Sequence, residues 1–181
     1  MFKKERNMKI VAFAASSSRK SINKQLVTYA VGLLKDSQSE ILDLNDYELP
    51  LFSEDREAEL GQPTLAKEFL SKITESDAII ISFAEHNGSY SSAYKSLFDW
   101  CSRINPKVFQ GKPMVLLSTS PGPRGAGSVL ATAAASASYF DGVVKATLSV
   151  PSFYDNFDME SGTVSNRDIN AQLVSAVQSL I

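Results

Sequence analysis

The stretch IVAFAASSSRKSIN, Ile10 to Asn23, decides how the rest of the chain is read. Ile10-Val11-Ala12-Phe13-Ala14 is a short continuous apolar run, as expected of a strand buried on both faces. From Ala15 to Asn23 the chain turns polar, crowding Ser16, Ser17, Ser18, Arg19, Ser21 and Asn23 together. Apolar residues then recur at Ile22, Leu26, Ala30, Leu33 and Leu34, which is helical spacing. The reading is strand, hydroxyl-rich turn, helix. A helix start presents backbone N–H groups without intrahelical partners and a partial positive charge, so an anion is stabilised there. Hydroxyls, an amide and a guanidinium around it suit a phosphate. The same residues also serve as an ordinary N-cap, and this stretch alone leaves the two readings level.

Composition narrows the field. A chain of 181 residues suits one domain. Hydrophobic residues at 44% and charged residues at 21% are ordinary for a globular protein. With a formal net charge of −2 and no block of like charge, nucleic acid and an anionic membrane are not expected partners. Cys101 is the single cysteine, which rules out an internal disulfide and fits a reducing, cytoplasmic setting. Its neighbours Leu97, Trp100 and Ile104 make it a buried structural thiol rather than a nucleophile. The apolar run after MFKKERNMK is too short for a secretory signal, so residues 1–7 are read as a flexible tail.

Further along, Glu40–Leu44 alternates polar and apolar and predicts a second strand. Asn45 to Gln62, with Pro50, Gly61 and many acids, reads as a long loop of the kind that forms binding edges. Pro63 opens the next helix at its first position, with Leu65, Phe69, Leu70 and Ile73 as its apolar stripe. DAIIISF, Asp77 to Phe83, is a buried strand of a parallel sheet. After the loop AEHNGSYS, a helix is predicted from Ser91 to Arg103. Its apolar residues spread around much of the circumference and leave one face to meet a second subunit. Met114–Thr119 is a fourth strand, followed by the loop SPGPRGAG and an Ala-rich helix from Ser128 to Phe140. Val143–Val150 alternates like an edge strand. After the loop SFYDNFDMESG a last helix starts at Asn166, with Ser165 as a candidate cap.

The alternation βαβαβαβαβα predicts one α/β domain over residues 8–181. A flavodoxin-like three-layer sandwich follows, its five-stranded parallel sheet in order 2-1-3-4-5 with helices on both faces. In such a sheet the loops Ser16–Asn23, Ala84–Ser91 and Ser120–Gly127 share the carboxyl edge, where ligands bind. All three are rich in Gly, Ser, Asn or Pro. Turn chemistry alone explains each of them; their coincidence at one rim favours a ligand site. No GxxxxGK[ST], GxGxxG or GxSxG motif is present, and His86, the only histidine, cannot build a zinc set with one cysteine. A monophosphate carrying a planar ring fits what remains.

At this point the residues resemble a family. ASSSRKSINKQL is similar to the GSxRxxSxN phosphate motif of the NAD(P)H-dependent FMN reductases. SFAEHNGSYSSAYKSLFDW, Ser82 to Trp100, resembles their PEYNxSxxxxLKNxxDW motif, and the fourth strand with its Gly-rich loop matches their third flavin segment. Ser16 stands for the motif glycine, Ala84 for proline, His86 for tyrosine and Ser96 for asparagine. The resemblance implies a flavodoxin-like fold, non-covalent FMN, NAD(P)H as co-substrate, and homodimers or homotetramers. It places Ser17, Arg19, Ser21, Ile22 and Asn23 at the phosphate. Glu85, His86, Asn87 and Gly88 would line the ring and ribityl chain, with Ser120 and Gly122 closing the other side. The flavin performs the chemistry, so no side chain is assigned a catalytic role and no metal is expected. The activity implied is hydride transfer from NAD(P)H to FMN and on to a quinone, azo compound, free flavin or metal oxyanion. His86 is read as a stacking or hydrogen-bonding loop residue, while Arg124 either meets a nucleotide 2′-phosphate or points to solvent. Two other readings stand beside this one: a flavin electron carrier without NAD(P)H activity, and a hydrolase using a loop serine.

Overall fold

In the computed structural model residues 7–181 are described, so the tail expected over residues 1–7 lies outside them except for Asn7. The chain runs through β1 (Lys9–Ala15), α1 (Ile22–Gly32), β2 (Gln38–Leu42), α2 (Glu54–Leu60), α3 (Thr64–Glu75) and β3 (Ala78–Phe83). Two short strands follow, β4 (Glu85–His86) and β5 (Ser89–Tyr90), then α4 (Ser92–Ile104), β6 (Pro113–Thr119), α5 (Gly127–Ala137) and β7 (Val143–Val150). The chain finishes with α6 (Phe153–Asn156), β8 (Phe157–Asp158), β9 (Thr163–Val164) and α7 (Arg167–Gln178).

The main sheet is parallel and ordered β2-β1-β3-β6-β7, the flavodoxin-like order expected. Alternate side chains of its central strands point to opposite faces. Val11, Phe13, Ile79 and Ile81 pack with residues of α3, α4 and α5 on one side. Ile10, Ala12, Ala78, Ile80 and Val115 pack with α1 and α7 on the other. Two covered faces explain the unbroken apolar runs Ile10–Ala15 in β1 and Ala78–Ile81 in β3.

Several elements differ from the sequence reading. β2 lies two residues earlier than expected, because Asp43 is taken up as the cap of a 3-10 turn over Leu44–Tyr47. The long acidic loop is not structureless. It carries that turn and α2, and Trp100 Nε1 donates to the Pro50 carbonyl at 2.7 Å while the Phe52 ring meets Trp100 edge-on. Pro63 sits one position before α3, as its cap residue rather than its first turn. The loop after β3 folds as a hairpin, β4 against β5, turned by Asn87 and Gly88 at φ 53° and 78°. Both central residues in the left-handed region make a type I′ turn, for which Asn-Gly is the favoured pair. The segment after β7 contains α6 and a second hairpin. α7 is capped by Asn166, which accepts from the Asp168 and Ile169 N–H groups, and not by Ser165.

Candidate functional site

The rim above β1, β3 and β6 is built outward from Asn23. This residue occupies the first turn of α1 yet is only 3% exposed. Its Oδ1 accepts from Ser82 Oγ at 2.7 Å and from the Thr119 N–H at 3.1 Å, and its Nδ2 donates to the Thr119 carbonyl at 3.2 Å. Thr119 Oγ1 in turn donates to the Val150 carbonyl at the end of β7. One side-chain amide thus ties the start of α1 to the last turns of β3 and β6.

In front of it the first loop is held open. Ser21 caps α1, its hydroxyl accepting from the Lys24 N–H. The Ser21 N–H donates to the Ser18 carbonyl, and the Ser18 N–H to Ser16 Oγ. The backbone N–H groups of Ser17, Arg19, Lys20, Ile22 and Asn23 have no hydrogen bond to any described residue. Donors left unpaired at a helix start, with Arg19 and Lys20 exposed beside them, are chemically suited to an anion. Lys24 reaches back to Asp43 and holds that carboxyl down at about 2, below its ordinary 3.8.

The second loop supplies the β4–β5 hairpin. His86, Asn87 and Gly88 are exposed at the hairpin tip, while Glu85 is half-buried. Glu85 Oε2 accepts from the Val129 N–H at 2.9 Å. The carboxylate therefore caps α5 from another loop, where the cap residue, Ala126 at φ 60°, offers no side-chain bond. Glu85 also lines the cleft.

The third loop is locked from behind. Ser120 and Gly122 accept from the Phe153 and Ser152 N–H groups, both at 3.0 Å. Gly125 adopts φ 55°, and a Cβ there would lie 2.3 Å from Ser149 Oγ and 2.9 Å from the Val150 carbonyl carbon and oxygen. Only glycine fits, and its carbonyl takes hydrogen bonds from Ser118 and Ser149 hydroxyls. Arg124 is exposed.

Together the loops enclose an open cleft of about 270 Å³. Of the expected residues it is lined by Ser21, Ile22, Asn23, Glu85, His86 and Ser120. Ser17, Arg19, Asn87, Gly88 and Gly122 belong to the same three loops but do not line that cleft; Ser17 borders a neighbouring depression that also includes Tyr47 and Ser92. Lys20, Thr119, Pro121 and Tyr154 line the cleft and were not singled out from sequence. Lys20 was legible as a neighbour of the motif. Tyr154 was not, because α6 comes from a distant segment with no periodic signal. Cys101 is buried on the inner face of α4, toward α3, and its thiol is pushed up to about 12 by that burial, which makes it a core residue.

Three loops meeting at the topological switch point of a flavodoxin-like sheet form the rim where such folds take their ligands. The comparisons agree in fold: the NAD(P)H:(acceptor) oxidoreductase FerB of Paracoccus denitrificans matches with a TM-score of 0.75 at 21% identity, covering 96% of this chain and 98% of that one. The azoreductase AzrA matches with a TM-score of 0.62 at 16% identity, covering 94% and 97%. Residues 8–155 match the family model of the NADPH-dependent FMN reductases, and the chain belongs to that family. Membership implies FMN as the flavin and NAD(P)H as the reductant. An NADPH:quinone oxidoreductase of Arabidopsis thaliana is 33% identical over 64% of the chain, and an NAD(P)H-dependent FMN reductase of Pseudomonas aeruginosa 32% identical over 64%. The match spans 59% and 62% of those relatives' lengths. A 2-hydroxy-1,4-benzoquinone reductase of a Burkholderia species is 29% identical over 93% of this chain and 86% of its own.

Proposed function

We propose that this chain holds FMN without a covalent bond and uses it to pass hydride from NAD(P)H to a small electron acceptor. The observation that carries the reading is the set of unpaired N–H groups at the start of α1, facing two further loops on one rim. Ser17, Arg19, Ser21 and the N–H groups of Ile22 and Asn23 would hold the phosphate. The backbone of Glu85, His86, Asn87 and Gly88 would carry the ring, and Ser120 and Gly122 would close it in. When bound, the flavin supplies the hydride-accepting and hydride-donating chemistry.

The protein's own part is placement. The cradle neutralises the phosphate charge through fixed donors rather than mobile water. The Glu85–Val129 bond keeps the hairpin and α5 at one spacing, so the ring bed is preformed. The cleft is open on its outer side, which leaves one ring face for the nicotinamide and then the acceptor. Relatives described as quinone reductases favour a quinone as that acceptor; an azo compound, free flavin or metal oxyanion would use the same face.

The same reading places the protein in the cytoplasm; among the described residues no helix is long and apolar enough to cross a membrane. It includes assembly as a homodimer or homotetramer. The aromatic-lined groove between α4 and α5, with Tyr94, Phe98 and Phe140, is the surface such assembly would use. Light scattering on a sizing column measures it.

The test is the visible absorbance of the purified full-length protein, release and mass identification of the cofactor, and steady-state NAD(P)H oxidation with a quinone. A yellow protein that releases FMN and turns over is expected. Bound FMN without turnover would favour an electron carrier. A colourless protein that cleaves activated esters would favour a hydrolase, although the His86 ring makes no hydrogen bond to a serine hydroxyl among the described residues.

A further inference from the structure

We infer that Asn23 is a positioning residue: its side-chain amide sets the spacing between the phosphate cradle and the ring bed, and does so from beneath the ligand. The inference rests on the FMN reading above.

Three observations converge. First, the amide is engaged in a way that an asparagine, with one acceptor and one donor arm, is suited to satisfy. Thr119 offers both a backbone donor and a backbone acceptor, and Asn23 answers them with Oδ1 and Nδ2 at 3.1 and 3.2 Å. The amide thereby continues the hydrogen bonding of β6 beyond the point where its partner strand β3 ends, at the Phe83–Ser118 pair. The Ser82 hydroxyl takes the second lone pair of Oδ1 at 2.7 Å. Second, all three groups are out of water, with Asn23, Ser82 and Thr119 at 3%, 0% and 1% exposure. Buried polar groups left unpaired are costly, so the network holds one geometry. Third, its contacts fall at the roots of the other two loops. Ser82 precedes the second loop by two residues, and Thr119 immediately precedes Ser120. Asn23 itself lies in the first turn of α1, two residues after the cap Ser21. The amide is thus a direct hydrogen-bonded link between the element whose N–H groups would face the phosphate and the two strands whose loops would carry the ring.

FMN makes use of that spacing because it must reach the cradle and the ring bed at once. Riboflavin, which has the ring and ribityl chain but no phosphate, does not. This difference separates positioning from general stability. Apoprotein of the full chain, titrated by flavin fluorescence quenching, should show FMN dissociation weakened about tenfold in Asn23→Ala and riboflavin dissociation changed by less than about threefold. Ser82→Ala is the decisive second variant. Its hydroxyl is fully buried beneath Asn23, so it acts on a ligand only through the amide. FMN should weaken about threefold with riboflavin unchanged, and the two substitutions should combine to less than the product of their separate effects. It also leaves Asn23 its two bonds to Thr119, so the fold is retained if Asn23→Ala proves unstable.

FMN affinity unchanged in Asn23→Ala, or both flavins weakened equally, overturns the inference. So does a selective loss in Asn23→Ala with no effect of Ser82→Ala, which would mean that Asn23 touches the phosphate directly. A wild-type chain that binds neither flavin overturns the FMN reading itself.

Discussion

Gly125→Ala tests whether the third loop is locked as described. The new methyl meets Ser149 Oγ at 2.3 Å and the Val150 carbonyl group at 2.9 Å, in a residue at φ 55°. Three costs follow. Holding alanine in the left-handed region costs about 1–2 kcal/mol. Ser149 can rotate away, but only by giving up its 2.9 Å bond to the Gly125 carbonyl, about 1 kcal/mol. Val150 is backbone at the end of β7, so that contact is relieved only by a main-chain shift, about 1 kcal/mol more. Alanine also restricts the unfolded chain, which returns roughly 0.5–1 kcal/mol. The net is a destabilisation of about 3 kcal/mol, or about 6–12 °C in Tm for a domain of this size. Trp100, the only tryptophan and fully buried, reports unfolding in a urea titration. The control is Gly127→Ala, two positions on, where a Cβ meets nothing within 4 Å. It should stay within about 0.5 kcal/mol of wild type. If the two variants unfold at the same urea concentration, the close packing of the third loop against β7 is refuted.

Other outcomes follow from the same geometry. Arg19→Ala removes an exposed side chain; stability should stay within about 0.5 kcal/mol while the FMN dissociation constant rises about tenfold, both read from one set of melts and titrations. Glu85→Ala takes the acceptor from the Val129 N–H and should cost about 1 kcal/mol in urea unfolding, with Glu85→Gln recovering part of it. Lys24 keeps the Asp43 carboxyl near 2 in place of 3.8, so its contribution is complete above the higher value and lost as pH falls toward the lower. The pair is partly exposed, with side-chain accessibilities of 39% and 31%, which leaves about 1 kcal/mol. Wild type should exceed Asp43→Asn by that margin near neutrality, and the two should converge in acid unfolding by about pH 2.

Much of this protein was legible along the chain. Two-sided burial forces unbroken apolar runs, so Ile10–Ala14 and Ala78–Ile81 announced a parallel sheet with helices on both faces. Strand order then followed from the alternation, and with it the rim on which three polar turns meet. Local chemistry was legible in part: the hydroxyl-rich first turn supplies Ser21 as the cap of α1, whereas Ser165 was expected to cap the last helix and Asn166 does. What tertiary structure decided were the partners of side chains whose spacing carries no period. Glu85 reads as a loop acid beside a ligand; it is the cap of a helix more than forty residues away. Asn23 reads as one more polar group of a phosphate turn, yet its amide faces inward to strand ends 59 and 96 residues distant in sequence. Tyr154 reaches the cleft from a segment with no signal of its own. Sequence patterns report burial and backbone preference, because those are set within a turn or a strand. Which donor meets which acceptor is set only when distant elements pack, since a buried polar group bonds whatever the fold brings within reach.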